Sequence, residues 1–538
     1  MCFYWGEAKS NMLARRAYFT ISFIGIVLLL IVPQFWLPFR WAALLIIPYV
    51  LTGIYDLYFS SSNVLRNYPV IGHLRYGLEF ISPQIRQYFI ETNTSGRPFN
   101  REKRQLVYER ADGEAGFQPF GTQSDVDDVG FLRANHSLAP KVVPKEEARV
   151  TVGGPQCKKP YSASRLNISA MSFGALSPNA ILALNSGAKI GSFAHNTGEG
   201  GLSKYHLAGG GDIFWQIGTG YFGCRTKDGK FDPAQFEERS KNDAVKMIEI
   251  KLSQGAKPSH GGVLPAAKVD EEIAEARGVP VGEDCISPPA HSAFSTPHGL
   301  LEFVVQLRDL CGGKPVGFKL CIGRESEFMG ICKAMVETGI TPDFITVDGS
   351  EGGTGAAPLE FSDRLGRTID EGLIFVENCL VGIEKRDDLK VIASGKVATG
   401  FDMLQKMALG ADLCNAARPM LFSIGCIQAV RCHTNTCPSG VATQDRERMK
   451  AVVVEQRKHN AANFHKMTVD SFLDLVGAMG LASPDDLTPD HIYRRVANET
   501  EKTYAQIYTY IPPGHLLHAK EIDPEYERHW SMARADAF

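Results

Sequence analysis

The chain has 538 residues, enough for a core of about 250 to 300 residues with substantial additions. It is 44% hydrophobic and 22% charged, which excludes a disordered chain. Fifty-seven Lys and Arg against 60 Asp and Glu leave a formal charge of −3, so no nucleic-acid partner is expected. Twelve cysteines are too dilute for a disulfide-stapled mini-fold.

Two apolar stretches open the chain. Ala17–Leu37 carries no charge and has the length to cross a bilayer. Trp41–Tyr55 is also uncharged and is extended by Leu57, Tyr58 and Phe59. Only Pro38, Phe39 and Arg40 separate the two, so a helical hairpin is expected. Lys9, Arg15 and Arg16 precede the first span, and Arg66, Arg75 and Arg86 follow the second. By the positive-inside tendency both ends lie in the cytoplasm, which makes the chain a multi-pass protein of the cell membrane with lipid as a partner. A signal peptide is the poorer reading, because no small-residue cleavage site precedes the second apolar run. A buried soluble hairpin is the other alternative. Beyond it, Arg97–Arg104 reads as a solvated basic patch, with contact to anionic headgroups as the alternative. Gly113–Gly130 shows no period and reads as an extended arm.

From Leu166 onward short apolar runs alternate with helix-like segments. The runs are Leu166–Phe173, Ile190–Asn196, Ile213–Gly218, Met247–Leu252, Val316–Leu320, Phe344–Val347, Val391–Ala393 and Leu413–Ala416. Pro178–Lys189, Leu300–Leu310, Glu325–Thr338 and Gly400–Leu409 lie between them. Eight such units predict an α/β fold, a (β/α)8 TIM barrel, with a doubly wound sheet as the alternative. Polar residues cluster just beyond the strands: Ser172, Asn196, Glu199, Lys257, His260, Lys319, Asp348, Ser394 and Lys396. In a barrel that is the C-terminal rim, where loops build the active site.

Two glycine-bearing turns suit an anion. Gly349–Gly355, containing Gly352, Gly353 and Thr354, follows the sixth run. Ser394–Gly400, containing Gly395 and Lys396, follows the seventh. Backbone N–H groups in such turns, with a helix start behind them, can surround a phosphate. Neither is a P-loop, because the Gly-Lys-Ser/Thr ending is missing. As a pair they favour a phosphate-bearing cofactor.

Cys426, Cys432 and Cys437 stand five and four residues apart in one segment that Pro438 closes. Zinc with His433 as fourth ligand is awkward, since His433 adjoins Cys432. An iron–sulfur cluster suits the spacing better, and a three-iron cluster needs three thiolates.

Several segments resemble the synthase domain of glutamate synthase. They are Ser169-Ala170-Met171-Ser172-Phe173-Gly174, Asn196-Thr197-Gly198-Glu199-Gly200-Gly201, Lys251-Leu252-Ser253-Gln254-Gly255-Ala256-Lys257-Pro258, Gly352-Gly353-Thr354-Gly355-Ala356 and Cys432-His433-Thr434-Asn435-Thr436-Cys437-Pro438. The resemblance covers roughly residues 150 to 445 in consistent order. It implies an FMN-binding barrel with a 3Fe-4S cluster held by Cys426, Cys432 and Cys437. It also implies a reaction: reduced flavin delivers hydride to 2-iminoglutarate, made from 2-oxoglutarate and ammonia, to give L-glutamate.

By the same resemblance Lys319 lies near the flavin, and the two Gly turns approach its phosphate. Ser172, Asn196, Asp348, Gly352, Gly353, Thr354, Ser394, Gly395 and Lys396 are the other expected cofactor contacts. Lys319, Lys257, His260 and Glu199 are the expected catalytic residues, with Lys257 and His260 facing a small dicarboxylate. The family's glutaminase domain and β-helix domain are not seen in the sequence, so ammonia is expected from outside or from a separate glutaminase. No dinucleotide fingerprint accompanies the barrel, so a ferredoxin or separate reductase subunit is the expected electron donor. Ser259-His260 stands where the family commonly has Gly-Glu. Phe318–Gly323 departs from the family pattern as well. A membrane-attached flavin and iron–sulfur electron carrier with a different substrate is therefore the alternative.

The expected organisation is a two-span hairpin (17–59), a linker and barrel-packing arm (60–149), the barrel with its iron–sulfur loop (150–445) and a mainly helical extension (446–538).

Overall fold

The computed structural model describes residues 4–538, with side chains from Leu13 onward, so the side chain of Lys9 lies outside the described part. The chain divides into two compact units, Met1–Arg101 and Glu102–Phe538.

In the first unit, α1 (Tyr4–Ile31) and α2 (Ala43–Tyr58) are joined by two 3-10 turns. Pro33 and Pro38 stand in the first positions of those turns, where a missing N–H is no loss. Leu13–Gln34 and Leu37–Tyr58 are each long and apolar enough to cross a membrane, with mean hydropathy 2.0 and 1.6. Most of their apolar side chains face outward, Leu45 being 79% exposed. Tyr18 ties the two helices by donating to Val50 O at 2.6 Å. A third helix, α3 (Gly72–Ile85), follows and runs into a π turn at Arg86–Ile90.

The second unit is built on a closed barrel of eight parallel strands, each beside its sequence neighbours. They are β1 (Leu166–Ile168), β2 (Ala194–Asn196), β3 (Asp212–Ile217), β4 (Val245–Lys251), β5 (Val316–Leu320), β6 (Phe344–Asp348), β7 (Lys390–Ser394) and β8 (Leu413–Ala416). The expected (β/α)8 barrel is what the chain forms. The pairing Ala416↔Ile168 closes it. Two predicted runs were too long. Ser169–Phe173 leaves the sheet after Ile168, and Ile190 belongs to the helix α4 (Pro178–Gly191). Pro178 begins α4 behind Ser177, whose hydroxyl accepts from Ala180 N at 3.3 Å.

Strand alternation sorts the barrel interior into layers. Ala194, Phe214, Met247, Phe344, Ile392 and Leu413 form an apolar bottom together with Val152 and Ala163. The last two come from an antiparallel hairpin, Arg149–Val152 with Tyr161–Ser164, that closes this end. Two residues further along the strands stand Asn196, Gln216, Glu249 and Thr346, and beyond them Lys251 and Asp348. Polarity rises toward the rim.

The tail packs on the barrel. Its long helix α5 (Val454–Ala478) lies along α4, and His465 stacks on Phe193 with ring centroids 3.9 Å apart. The hydroxyl of Tyr504 accepts from Gln405 at 2.7 Å, and that of Tyr526 accepts from Asn378 at 2.6 Å. The extension is mainly helical, as expected, but it adds a strand pair, Ile492–Ala497 with Thr500–Thr503. Leu132–Ala134 joins that pair as a third strand. The basic patch is solvated only in part, with Arg97 and Arg101 exposed. Arg104 and Arg110 are buried within the helix Arg101–Ala111, and Lys103 pairs with Asp402 at 2.7 Å. Their long stems cover apolar surface while the heads find partners.

Three buried histidines give a pH expectation. Burial lowers His206 and His291 to about 4 and His465 to about 3. Each binds its proton more weakly in the folded chain than in the unfolded one. Their contribution to stability is therefore complete above the ordinary histidine pKa and is lost as pH falls from there toward about 4. With His195, which burial also lowers, four such groups give a slope of up to about 5 kcal/mol per pH unit. Fluorescence of the fully buried Trp215 during denaturant titrations across that window should show the midpoint falling with pH. A flat midpoint would contradict the burial of these rings.

Candidate functional site

The site is built upward from Glu249 on β4, a carboxylate that is 1% exposed. Its Oε1 accepts from Asn196 Nδ2 at 2.8 Å and Gln216 Nε2 at 2.6 Å, and its Oε2 from Thr346 Oγ1 at 2.7 Å. Four strands thus meet on one buried charge, and the network makes a rigid floor. Asn196 is committed to this floor; it also accepts from Gly198 N at 3.0 Å and so shapes the loop that carries Glu199.

Two ion pairs stand above the floor. Lys251 at the end of β4 reaches Glu199 at 2.9 Å, and Lys319 on β5 reaches Asp348 on β6 at 3.3 Å. Burial works against the charge of Lys319, but Asp348 and Glu249 outweigh it and hold the ammonium above its ordinary pKa. Burial likewise opposes ionisation of Glu199, yet Lys251, Lys257 and Arg277 keep its carboxyl below the usual range. Lys257 differs. Burial brings it down to about 8, with Glu199 opposing the shift and Lys251 adding to it. Its ammonium donates to Ala356 O at 3.0 Å, which ties the loop after β4 to the loop after β6.

Those loops meet closely. Gly255 N donates to Asp348 Oδ2 at 2.9 Å, and a Cβ on Gly255 would lie 1.6 Å from Gly349 O. Gly255→Ala should therefore destabilise the chain by about 1–3 kcal/mol, because two backbones must separate. Thermal unfolding checks this, and an unchanged midpoint would refute the close approach. His260 lines a narrow open cleft with Glu199, Lys251, Gln254 and Pro288. Its Nδ1 lies 2.9 Å from Gly261 O, and its ring stands edge-on to Phe361.

The two Gly turns lie side by side, since Gly349 and Gly395 both pack against Ile369, and Gly349 N donates to Ser394 O at 3.0 Å. The first turn is followed by a short helix, Leu359–Arg364, with no side-chain cap at its start, and then by a helix that begins at Ile369; the second is followed by the helix that begins at Gly400. Glu351 accepts from Ile369 N at 3.0 Å, and Asp402 accepts from Ala398 N at 2.9 Å and Thr399 N at 3.1 Å. The chain's own carboxylates cap the helices that begin at Ile369 and Gly400. The cation at this place is Arg418, just after β8, whose Nε would lie 2.7 Å from a Cβ on Gly353. Burial lowers its pKa, with Asp348 and Glu351 opposing. Gly353 and Thr354 are exposed here, Ser394 Oγ is 3.3 Å from Ser169 Oγ, and Lys396 adopts a φ of 50°. Ser172 is half-buried on the rim beside the Gly198–Gly200 turn.

Cys426, Cys432 and Cys437 follow on the same rim. The loop holds Gln428, Val430 and Asn435 at positive φ, a costly conformation for a β-branched residue such as Val430. Asn435 pins it by donating to Ala267 O at 3.0 Å and accepting from Gln444 N at 2.7 Å. The bend brings the three thiols within electrostatic reach of one another. Burial pushes Cys426 up to about 12 and also raises Cys432. Burial opposes ionisation of Cys437 too, but the Ser439 hydroxyl and the N–H groups of Ala442, Ser439 and Val441 outweigh it, leaving its pKa lowered. Among the described residues no three His, Cys, Asp or Glu side chains converge closely enough to hold one metal ion. A single zinc would need sulfurs about 3.8 Å apart around one centre.

Residues 133–482 match the model of the conserved region in glutamate synthase. The chain belongs to the glutamate synthase family. That membership makes it an oxidoreductase. It is 38% identical over 477 residues to the glutamate synthase large subunit-like protein YerD of Bacillus subtilis, covering 81% of this chain and 90% of YerD. It is 34% identical over 321 residues to the archaeal glutamate synthase [NADPH] of Methanocaldococcus jannaschii, covering 60% of each. A ferredoxin-dependent glutamate synthase of Synechocystis is 34% identical over 247 residues, 45% of this chain and 15% of that one. The chain thus spans nine tenths of YerD but less than two thirds of the named synthases.

Five residues of this glutamate synthase-family site were missed from the sequence: Glu249, Lys251, Arg277, Arg418 and Lys268. Lys251 stands one residue before the end of a predicted run, as Lys319 does, and the rule that found Lys319 would have found it. Arg277 donates to Phe173 O at 3.0 Å, and Lys268 donates to Ala175 O and Ala442 O at 3.0 Å each. Neither follows a strand, so no local pattern marks them.

Proposed function

We propose that this chain is an FMN- and iron–sulfur-dependent glutamate synthase-like oxidoreductase. It reductively aminates 2-oxoglutarate through 2-iminoglutarate to L-glutamate. The observation that carries the reading is the rim itself, where Lys319, Lys251 and Lys257 crowd one end of a barrel around Glu199 and Asp348.

The residues present fit FMN. Arg418 beside Gly353, with the paired turns of Gly352–Thr354 and Ser394–Lys396, supplies cationic and backbone contacts for a phosphate. When bound, reduced FMN supplies the hydride that side chains cannot. Lys319, its charge held by Asp348, counters negative charge on the ring system. Lys257 and His260 bind the dicarboxylate and orient its imine carbon. Glu199, kept ionised by its neighbours, positions Lys251 and Lys257 and has no proton to give. The three cysteines fit a 3Fe-4S cluster better than a single ion, and N–H groups aimed at Cys437 favour its thiolate.

Ammonia comes from solution or from a separate glutaminase. Electrons come from a ferredoxin or a reductase subunit; the relatives' names carry both NADPH and ferredoxin, so the donor is the more variable part. The hairpin anchors the chain in the cell membrane with the barrel in the cytoplasm. That anchor favours one second reading, an electron carrier serving a membrane acceptor.

Stopped-flow reoxidation of the dithionite-reduced protein separates the two. Reoxidation by 2-oxoglutarate with ammonium, and glutamate in the quench, is the expected result. Reduced protein that ignores this pair yet passes electrons to a quinone would establish the carrier instead. Alkaline carbonate washing tests the anchor, and release of the full chain into the wash would overturn it.

A further inference from the structure

We propose that α3 and the π turn after it lie flat in the bilayer interface, a second membrane contact beside the two spans. The proposal rests on the membrane anchor proposed above. Ile71, Leu74, Leu78, Ile81, Ile85 and Phe89 recur at steps of three and four, so they form one stripe. All six are exposed, from 37% at Ile85 to 84% at Phe89. A second stripe runs beside it: Arg75, Glu79, Ser82 and Arg86, with Arg75 and Glu79 paired at 2.9 Å. An apolar stripe of about five turns left bare is unusual for a chain in water.

The hairpin places this stripe at the level of the headgroups. Asp56, in the last turn of α2 and fully buried, accepts from Val70 N at 2.8 Å and meets His73 Nε2 at 2.9 Å. Arg15, near the start of the first span, donates to Arg66 O at 2.8 Å and to Asn67 Oδ1 at 3.0 Å. Both outer ends of the hairpin are thus tied to the segment that begins α3. A helix starting there with an apolar stripe and arginines on its flank fits an acyl–headgroup boundary that contains anionic lipid. A second copy of the chain is the weaker occupant. Pro83 stands inside α3, and the π turn shifts the register after Arg86, which breaks the regular repeat that helix pairing needs. A bilayer tolerates both irregularities.

The test places the photoreactive residue p-benzoylphenylalanine at Leu78, at Glu79 on the charged flank and, in the second span, at Leu45, one position at a time in the full-length chain. Each variant is reconstituted in vesicles of phosphatidylcholine with a minority of phosphatidylglycerol, illuminated, and its cross-links read by mass spectrometry. Lipid adducts at Leu78 comparable to those at Leu45, and several-fold above those at Glu79, are expected. Lipid adducts at Leu45 with none at Leu78 would overturn this proposal and leave the anchor standing. Absence of adducts at both would overturn the anchor and the proposal with it. Chain-to-chain cross-links at Leu78, or cross-links to residues beyond 101 of the same chain, would replace lipid with a protein occupant.

Discussion

A Cys432→Ser chain purified anaerobically is expected to lose its iron, while the wild-type chain carries the iron of one three-iron cluster alongside one FMN. The three thiols stand on one bent loop, and the loop keeps Val430 in a left-handed conformation that costs free energy. A bound cluster would offset that cost, because metal–thiolate bonds are made only in the folded state. Loss of the cluster should therefore also loosen the segment 426–437, seen as faster amide exchange there. Iron analysis and low-temperature electron paramagnetic resonance give the direct readout. Zinc at one per chain with no iron in the wild type would refute the cluster, and unchanged iron in Cys432→Ser would refute its ligand.

Lys257→Ala should raise the requirement for 2-oxoglutarate by about ten- to a hundredfold, the worth of one desolvated charge-assisted contact. FMN should stay bound, because Arg418, which donates to Glu351 O at 2.9 Å, still holds the loop whose Ala356 O loses its contact with Lys257. The pH dependence has a definite sign. With Lys257 brought down to about 8, the ammonium is present below that pH and lost above it. The apparent KM for the keto acid should climb above about pH 8 in the wild type and stay level in Lys257→Ala. Lys319→Ala should instead slow flavin reoxidation at saturating keto acid. A KM in Lys257→Ala equal to that of the wild type would remove Lys257 from the substrate site.

The barrel was legible because each strand is a short apolar run ending in a turn residue and followed by a helix start. Val316–Leu320 and Glu325–Thr338 show this at its clearest, since both segments form with the bounds their residues suggested. Strand ends were less legible. Ser169–Phe173 is as apolar as β1, but Ser169 N turns to Ala416 O and Met171 N to Asn196 O, contacts between segments far apart in sequence. Candidate rim residues could be read off for a related reason: parallel strands deliver whatever follows them to one end. Which of them meet could not. Asn196 looked like a ligand contact, yet a carboxylate from two strands away holds it in the floor. The helix starts near the Gly turns looked open, yet Asp402 caps the one behind the second turn and Glu351 caps the later helix that begins at Ile369.

By itself, then, the order of residues determined the eight-fold alternation of strand and helix, the two apolar helices at the front, and the three thiols in one loop. All of these depend on spacing along the chain. Tertiary structure alone decided the pairing of Lys251 with Glu199 and of Lys319 with Asp348, the burial of Arg104, and the meeting of Gly255 with Gly349. Those depend on which strands become neighbours when the barrel closes. Closure also withdraws water from the rim, so that a lysine 2% exposed titrates near 8 while another, 6% exposed and facing Asp348, keeps its charge.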